Sequence, residues 1–368
     1  MMLDGSDASP PLVLPAWLSR AGIFVDGQPI PIFTDCRSQI CRHNENTDMI
    51  VWGGGIYLVH RTAVSQTLGP DSALHVYRSS DGGMTFTETA RIPAPVDRDL
   101  RDPAFFQVGG ELYMKAITRL PVDSSRDSNV DSISVVTHTS DGASWAPLAN
   151  AGPEQYSFWR VRQQGATYYT AAYHDGDTRV DLFTSTDGAT WTQGAPIYTV
   201  SADTPLETEL TFMPSGRLLA LVRMDGTDAE LLGDSGRLRT KICWALPPYS
   251  TFDCSTELDG ERLDGPVTFF YGSRLCVIAR KHLQGTGKKR TALFELTGTL
   301  EGGPLSIMEW GELPSAGDTS YAGVAAVDST HALLSWYSGN LAADRPWVLG
   351  MFDATDIWLG ALDLTKLQ

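Results

Sequence analysis

The chain has 368 residues, 42% of them apolar and ten of them tryptophan, which is ample for a large core, and no apolar run approaches the roughly 18 residues that a membrane helix needs. A formal charge of −16 at neutral pH argues against nucleic acid or an anionic membrane as a partner, because both are held through basic footprints. No composition shift or linker divides the sequence, and all-β repeat folds of this length form single units.

Residues 1–20, rich in Ser, Asp and Pro, read as a flexible lead-in to one domain spanning 21–368. Met1 to Pro15 has neither a basic n-region nor an apolar h-region, so no signal peptide is visible. The expectation is a cytoplasmic chain or one whose leader has been removed. Gly22 to Val25 and Pro29 to Phe33 flank Asp26-Gly27, a hairpin signal, and this segment suits an outer strand that closes a ring of blades.

From here a hairpin recurs. Its clearest copy is Glu207 to Asp225, where Leu210 to Met213 and Leu218 to Val222 are apolar and Pro214, Ser215 and Gly216 make the turn. The other copies are Asn46 to Arg61, Arg101 to Lys115, Trp159 to His174, Asp264 to Arg280 and Tyr321 to Tyr337, turning near Gly54, Gly109, Gly165, Gly272 and Ser329. Six copies at a spacing of roughly 50 to 57 residues lie in the range of solenoids, propellers and arrays.

Cys36 with Cys41 and Cys243 with Cys254 are spaced to pair across short loops, while Cys276 sits in an apolar strand and reads as a core thiol. The odd count leaves disulfide formation open. Neither C-x-x-C nor H-E-x-x-H spacing occurs, so no metal is expected, and the seven histidines show no shared pattern. Gly285-Thr286-Gly287-Lys288-Lys289 lacks the spacing of a phosphate loop.

Three short turns follow the first three hairpins: Ser80-Asp81-Gly82-Gly83-Met84-Thr85-Phe86, Ser140-Asp141-Gly142-Ala143-Ser144-Trp145 and Ser185-Thr186-Asp187-Gly188-Ala189-Thr190-Trp191. Each follows a strand, namely Leu74 to Tyr77, Ile133 to Val136 or Val180 to Phe183. Asp and Ser side chains can bond the turn backbone, Gly permits positive φ, and the aromatic packs back between strands. These turns resemble the Asp-box (BNR-repeat) turns of the sialidase (neuraminidase) superfamily. The resemblance covers nearly the whole chain after residue 35 and implies an all-β fold, a six-bladed β-propeller with Asp-box turns.

It also implies a chemistry. In a propeller the polar residues that head each hairpin converge on the central channel. Sialidases cleave a sugar whose carboxylate sits on the anomeric carbon, and they use a neutral Tyr relieved of its proton by a Glu in place of a carboxylate nucleophile. Three arginines clamp the substrate carboxylate through planar, bidentate hydrogen bonds. Tyr321, in Asp318-Thr319-Ser320-Tyr321-Ala322-Gly323, matches the nucleophile; a core or rim tyrosine is the plain alternative. Glu207 matches the general base and lies sixteen residues before Arg223, which matches a clamp arginine. Glu209 is a close rival for the base, two residues on and therefore on the same face of an extended strand. A structural ion pair is the alternative for this group.

For the third arginine, Arg290 in Lys288-Lys289-Arg290-Thr291-Ala292-Leu293-Phe294 fits the family register, with Arg280 as the alternative at the end of its hairpin. The first arginine departs from the family's Arg-Ile-Pro, for the region reads Cys41-Arg42-His43-Asn44-Glu45-Asn46 and puts Arg42 about two residues out of register. At the acid/base position Gln66 stands where the family has Asp, with Asp71 displaced. Asp102, in Arg101-Asp102-Pro103, is a second candidate acid, and a turn or cap role is open for both aspartates. Phe158 and Trp159 suit either a sugar-stacking wall or packing between blades.

The implied activity is a retaining exo-glycosidase acting on a terminal acidic sugar, sialic acid or a relative, without metal or organic cofactor. Two other readings stay open: a propeller glycosidase using Asp102 with Glu207 or Glu209 on a neutral glycan, and a non-catalytic glycan-binding propeller.

Overall fold

The computed structural model describes residues 12–27, 35–67, 69–120, 132–174, 178–200, 204–225 and 238–367. Apolar residues on both sides of a tight turn pair into six inner hairpins. These are His43–Trp52 with Gly55–Ala63, Asp99–Val108 with Glu111–Arg119, and Tyr156–Gln164 with Thr167–His174. The second three are Thr204–Phe212 with Leu218–Asp225, Asp264–Tyr271 with Arg274–Leu283, and Thr319–Ala326 with His331–Ser338. The first strand of each hairpin packs on that of the next, and Thr319–Ala326 packs back on His43–Trp52, closing a ring. Among the described residues the only helices are Trp347–Gly350 and a single 3-10 turn, Leu364–Lys366.

Further strands extend each hairpin outward, giving an all-β propeller arrangement. Among the described residues four sheets of four strands stand apart, and the other eight strands form one sheet in which Tyr156 pairs in parallel with Ile133. Six separate blades were expected; hydrogen bonding gives four, plus the eight-stranded sheet. The fusion has a local cause, since Ser134 Oγ donates to the Tyr156 carbonyl (2.8 Å) and accepts from the Phe158 amide (2.8 Å) across the junction.

The sheet containing Thr319–Ala326 is completed by the N-terminal segment: Leu18–Val25 pairs antiparallel with Asp356–Asp363. The strand therefore starts at Leu18, within the span expected to be flexible, and Trp17 and Leu18 are buried in one cluster with Trp336 and Trp358. Pro29 to Phe33, the other arm of the expected hairpin, lie outside the described residues.

In the three Asp-Gly turns, Asp81 accepts from the Met84 and Thr85 amides, Asp141 from those of Ala143 and Ser144, and Asp187 from those of Ala189 and Thr190. The Thr85 hydroxyl (2.6 Å) and then the turn amides hold the Asp81 carboxyl below its ordinary range, and the turn amides do so for Asp141 and Asp187. Both short-loop disulfides form, Cys36–Cys41 and Cys243–Cys254, and Cys276 is a buried free thiol.

A feature not visible in the sequence repeats around the ring. Every innermost strand slips register by one residue at the same height: between Glu45 and Asp48, Arg101 and Ala104, Phe158 and Val161, Pro205 and Thr208, Asp264 and Val267, and Ser320 and Gly323. A β-bulge bends its strand and re-aims the inserted side chain. Four inserted residues adopt left-handed backbone, with φ of 52° at Asn46, 51° at Asp102, 55° at Gly265 and 47° at Tyr321. Such conformations cost of order 1–3 kcal/mol for non-glycine residues and concentrate at functional sites.

Candidate active site

Tyr321 occupies the bulge of its strand, and Glu207 that of its own. The Tyr321 hydroxyl donates to Glu207 Oε1 at 2.7 Å, while Arg223 Nη1 donates to Glu207 Oε2 (2.6 Å) and to the phenol oxygen (3.2 Å). All three are buried. Arg280 lies over the Tyr321 ring, 4.9 Å from its centroid, and is held by the Thr319 carbonyl (2.8 Å), Asp318 Oδ1 (3.0 Å) and the Tyr337 hydroxyl (2.7 Å). Trp159 meets the ring edge-on at 5.8 Å. Burial first, and the Glu207 charge next, push the Tyr321 phenol well above its ordinary value, although Arg223 and Arg280 pull the other way. At neutral pH the phenol keeps its proton, with a carboxylate in position to take it.

Asp102 sits on the other side of this group. Its Oδ1 accepts from Asn46 Nδ2 (2.6 Å), and Arg101 Nε lies 3.5 Å from Oδ2. Asp102, Lys115, Trp159 and Tyr321 share the wall of a cavity of about 10 Å³, close to the least that holds one water molecule. Lys115 is buried, donates to the Phe158 carbonyl (2.8 Å) and lies 5.3 Å from the Trp159 ring centroid. Burial and the neighbouring Arg160 pull its ammonium down to about 7 against the charges of Asp102, Asp48 and Glu207.

Of the residues expected to converge, Tyr321, Glu207, Arg223, Arg280 and Asp102 do so. Glu209 does not. The bulge between Pro205 and Thr208 breaks the strand's alternation, so Glu209 faces the neighbouring strands, where it binds Arg162 and accepts from Thr268 Oγ1 (2.9 Å). Arg290 is drawn outward by Asp344 (2.9 Å) and Glu312 (3.5 Å), which leaves Arg280 as the fifth hairpin's arginine at the Tyr321 ring. Asp71 is a partly exposed partner of Arg37 (3.2 Å). Arg42 lies on the loop before its strand, while His43, the next residue, takes the interior place between Glu45 and Asp318. Phe158 packs on Phe183 and Trp191 in the core, so only Trp159 of that pair reaches the site.

Residues not anticipated complete the floor. Arg61 is fully buried and binds Glu45 Oε1 (2.5 Å) and both oxygens of Asp99 (2.8 Å each), and Arg101 reaches the same Glu45 oxygen at 3.2 Å. A signal for Arg61 existed, because it ends the returning strand of the first hairpin as Arg223 and Arg280 end theirs. Lys115 carried the same signal, since it ends the second hairpin copy.

No protein-family profile matches the sequence, and no curated protein matches it. Solved structures do resemble the fold. A mutant of the NanB sialidase of Streptococcus pneumoniae superposes with a TM-score of 0.66 at 11% identity, covering 100% of this chain and 73% of that one. The sialidase of Trypanosoma rangeli, solved with sialic acid, gives 0.62 at 13% identity over 94% of this chain and 59% of its own. A protein of unknown function from Dyadobacter fermentans gives 0.61 at 17% identity, over 93% and 99%. At such identities the likeness establishes a shared fold, that of the sialidase-like propellers.

Proposed function

We propose that this chain is a sialidase-like retaining exo-glycosidase that removes a terminal acidic sugar. The observation that carries the reading is the hydrogen bond from the Tyr321 hydroxyl to Glu207, with Arg223 and Arg280 against the same phenol. The residues from Trp17 onward act as one domain, the eight-stranded sheet counts as two blades of a six-bladed ring, and the three Asp-Gly turns serve as Asp boxes. Arg223 and Arg280 receive the sugar carboxylate. Tyr321 Oη bonds to the anomeric carbon as its proton passes to Glu207 Oε1, and the leaving oxygen takes a proton from Asp102. Water then attacks the same carbon, giving Asp102 a proton, and Tyr321 leaves with the proton that Glu207 returns. The carboxylate-pair reading has less support, because Tyr321 points at Glu207 and Glu209 is turned away.

A panel of 4-methylumbelliferyl glycosides, carrying sialic acid, its deaminated analogue and neutral pentoses, tests this. Turnover is expected on an acidic sugar and is expected to fall by on the order of 10²-fold or more in Tyr321→Phe and in Glu207→Gln. Turnover unchanged in Tyr321→Phe would remove the phenol from the mechanism.

A further inference from the structure

Behind the Tyr321 wall three fully buried side chains bring bare polar atoms together. His43 Nε2 lies 3.4 Å from Glu45 Oε2 and 3.3 Å from Asp318 Oδ2, and none of the three atoms has a hydrogen-bond partner. They form the one group of three such donors, all within 4.8 Å of one another, among the described residues. We propose that His43, Glu45 and Asp318 bind a divalent transition-metal ion, with zinc the best fit, in a structural site that braces the first and last inner strands.

The partners of each ligand leave one donor atom aimed at a common point. Asp318 Oδ1 already accepts from Arg280 (3.0 Å), Tyr337 (2.9 Å) and Trp347 (2.9 Å), and Glu45 Oε1 from Arg61 (2.5 Å) and Arg101 (3.2 Å). The second oxygen of each carboxylate is turned to His43. The His43 ring is fixed from behind, with Nδ1 2.9 Å from the Asp353 carbonyl. A carbonyl can only accept, so Nδ1 carries a proton, and Nε2, facing two carboxylate oxygens, holds either a second proton or a lone pair free for a metal ion. Three lone pairs facing one another in a dry interior repel unless a cation lies between them. Metal-binding histidines take this arrangement, donating the far N–H to a backbone carbonyl.

The spacing and donor types select the ion. Donors at about 2.0–2.1 Å from a tetrahedral centre stand roughly 3.3–3.4 Å apart, which is the separation seen from His43 to each acid. One nitrogen and two carboxylate oxygens suit zinc, whereas calcium takes six or more oxygens and seldom imidazole. Water would supply the fourth ligand. A single proton on Nε2 is the competing occupant: against the burial that lowers it, Asp318 and Glu45 raise the imidazole to about 9. Sequence spacing gave no hint of the site because His43 and Glu45 are joined by Asp318 from more than 270 residues away.

Since the group is wholly buried, metal would be loaded on folding. The full-length protein should be unfolded with EDTA under non-reducing conditions and refolded with or without Zn²⁺ or Co²⁺. Wild type refolded with zinc is expected to retain about one ion per chain through gel filtration and to melt several degrees above the metal-free protein. With cobalt it should show the intense visible absorption of a four-coordinate ion, and His43→Gln and Glu45→Gln should lose the ion and the colour. A wild type that folds equally well without metal and keeps less than a tenth of an equivalent overturns the proposal and leaves the proton as occupant. Equal retention by wild type and both variants overturns it too, by placing the metal elsewhere. If the variants do not fold, wild-type stoichiometry and the cobalt spectrum decide alone.

Discussion

Lys115 is a long cationic side chain whose ammonium group has been carried out of water into an aromatic and carbonyl wall. In the folded chain it gives up its proton near 7, against an ordinary value of 10.5. Below about 7 it is charged in both states and folding bears the full cost of burying that charge; between about 7 and 10.5 the unfolded chain binds more protons, so stability rises with pH. Urea denaturation from pH 6 to 10 should show Lys115→Met more stable than wild type at the acid end, with the gap closing as pH rises. A gap of constant size would mean that the ammonium keeps its ordinary affinity for protons. The same residue shows why part of the site was hidden. Arg223, Arg280, Tyr321 and Lys115 all stand at hairpin ends, where a polar residue beside an apolar run is conspicuous, but the burial of the Lys115 ammonium depends on Trp159 and Phe158 from another strand.

At the scale of the element, the hairpins were legible because the hydrophobic effect writes them locally, as apolar runs on both sides of a turn. The bulges were not, because a one-residue slip is settled by the pairing of two strands and leaves no local pattern. They account for the largest departure at the site, Glu209 turned away although it is two residues from Glu207, and one of them holds Tyr321 where it meets Glu207 from the far end of the chain. Gly265 shows how closely the bulges are fitted. Its φ is 55°, and a Cβ there would stand 3.0 Å from two atoms of the Tyr321 ring. Gly265→Ala is expected to cost more than about 1 kcal/mol in urea unfolding and to lower kcat by displacing the phenol. A variant with unchanged stability and turnover would show that the ring has room to move.

The molecule as a whole is a ring fastened by its earliest strand. Leu18–Val25 supplies the outer strand beside Asp356–Asp363, and with Trp17 it covers Trp336 and Trp358. A chain lacking residues 1–26 is expected to melt at lower temperature and to associate, because the uncovered strand is an open edge beside large apolar side chains. A truncated chain that stays monomeric with an unaltered melting point would show that the fastening is dispensable. The pairing also orders events during synthesis. Residues 18–25 are made long before their partners 356–363, so the intervening sheets can form in passing while the circle stays open until that later strand has been made. A nascent product stalled before that strand would therefore present its unmated tryptophans to chaperones, which makes arrival of residues 356–363 the event that seals the ring.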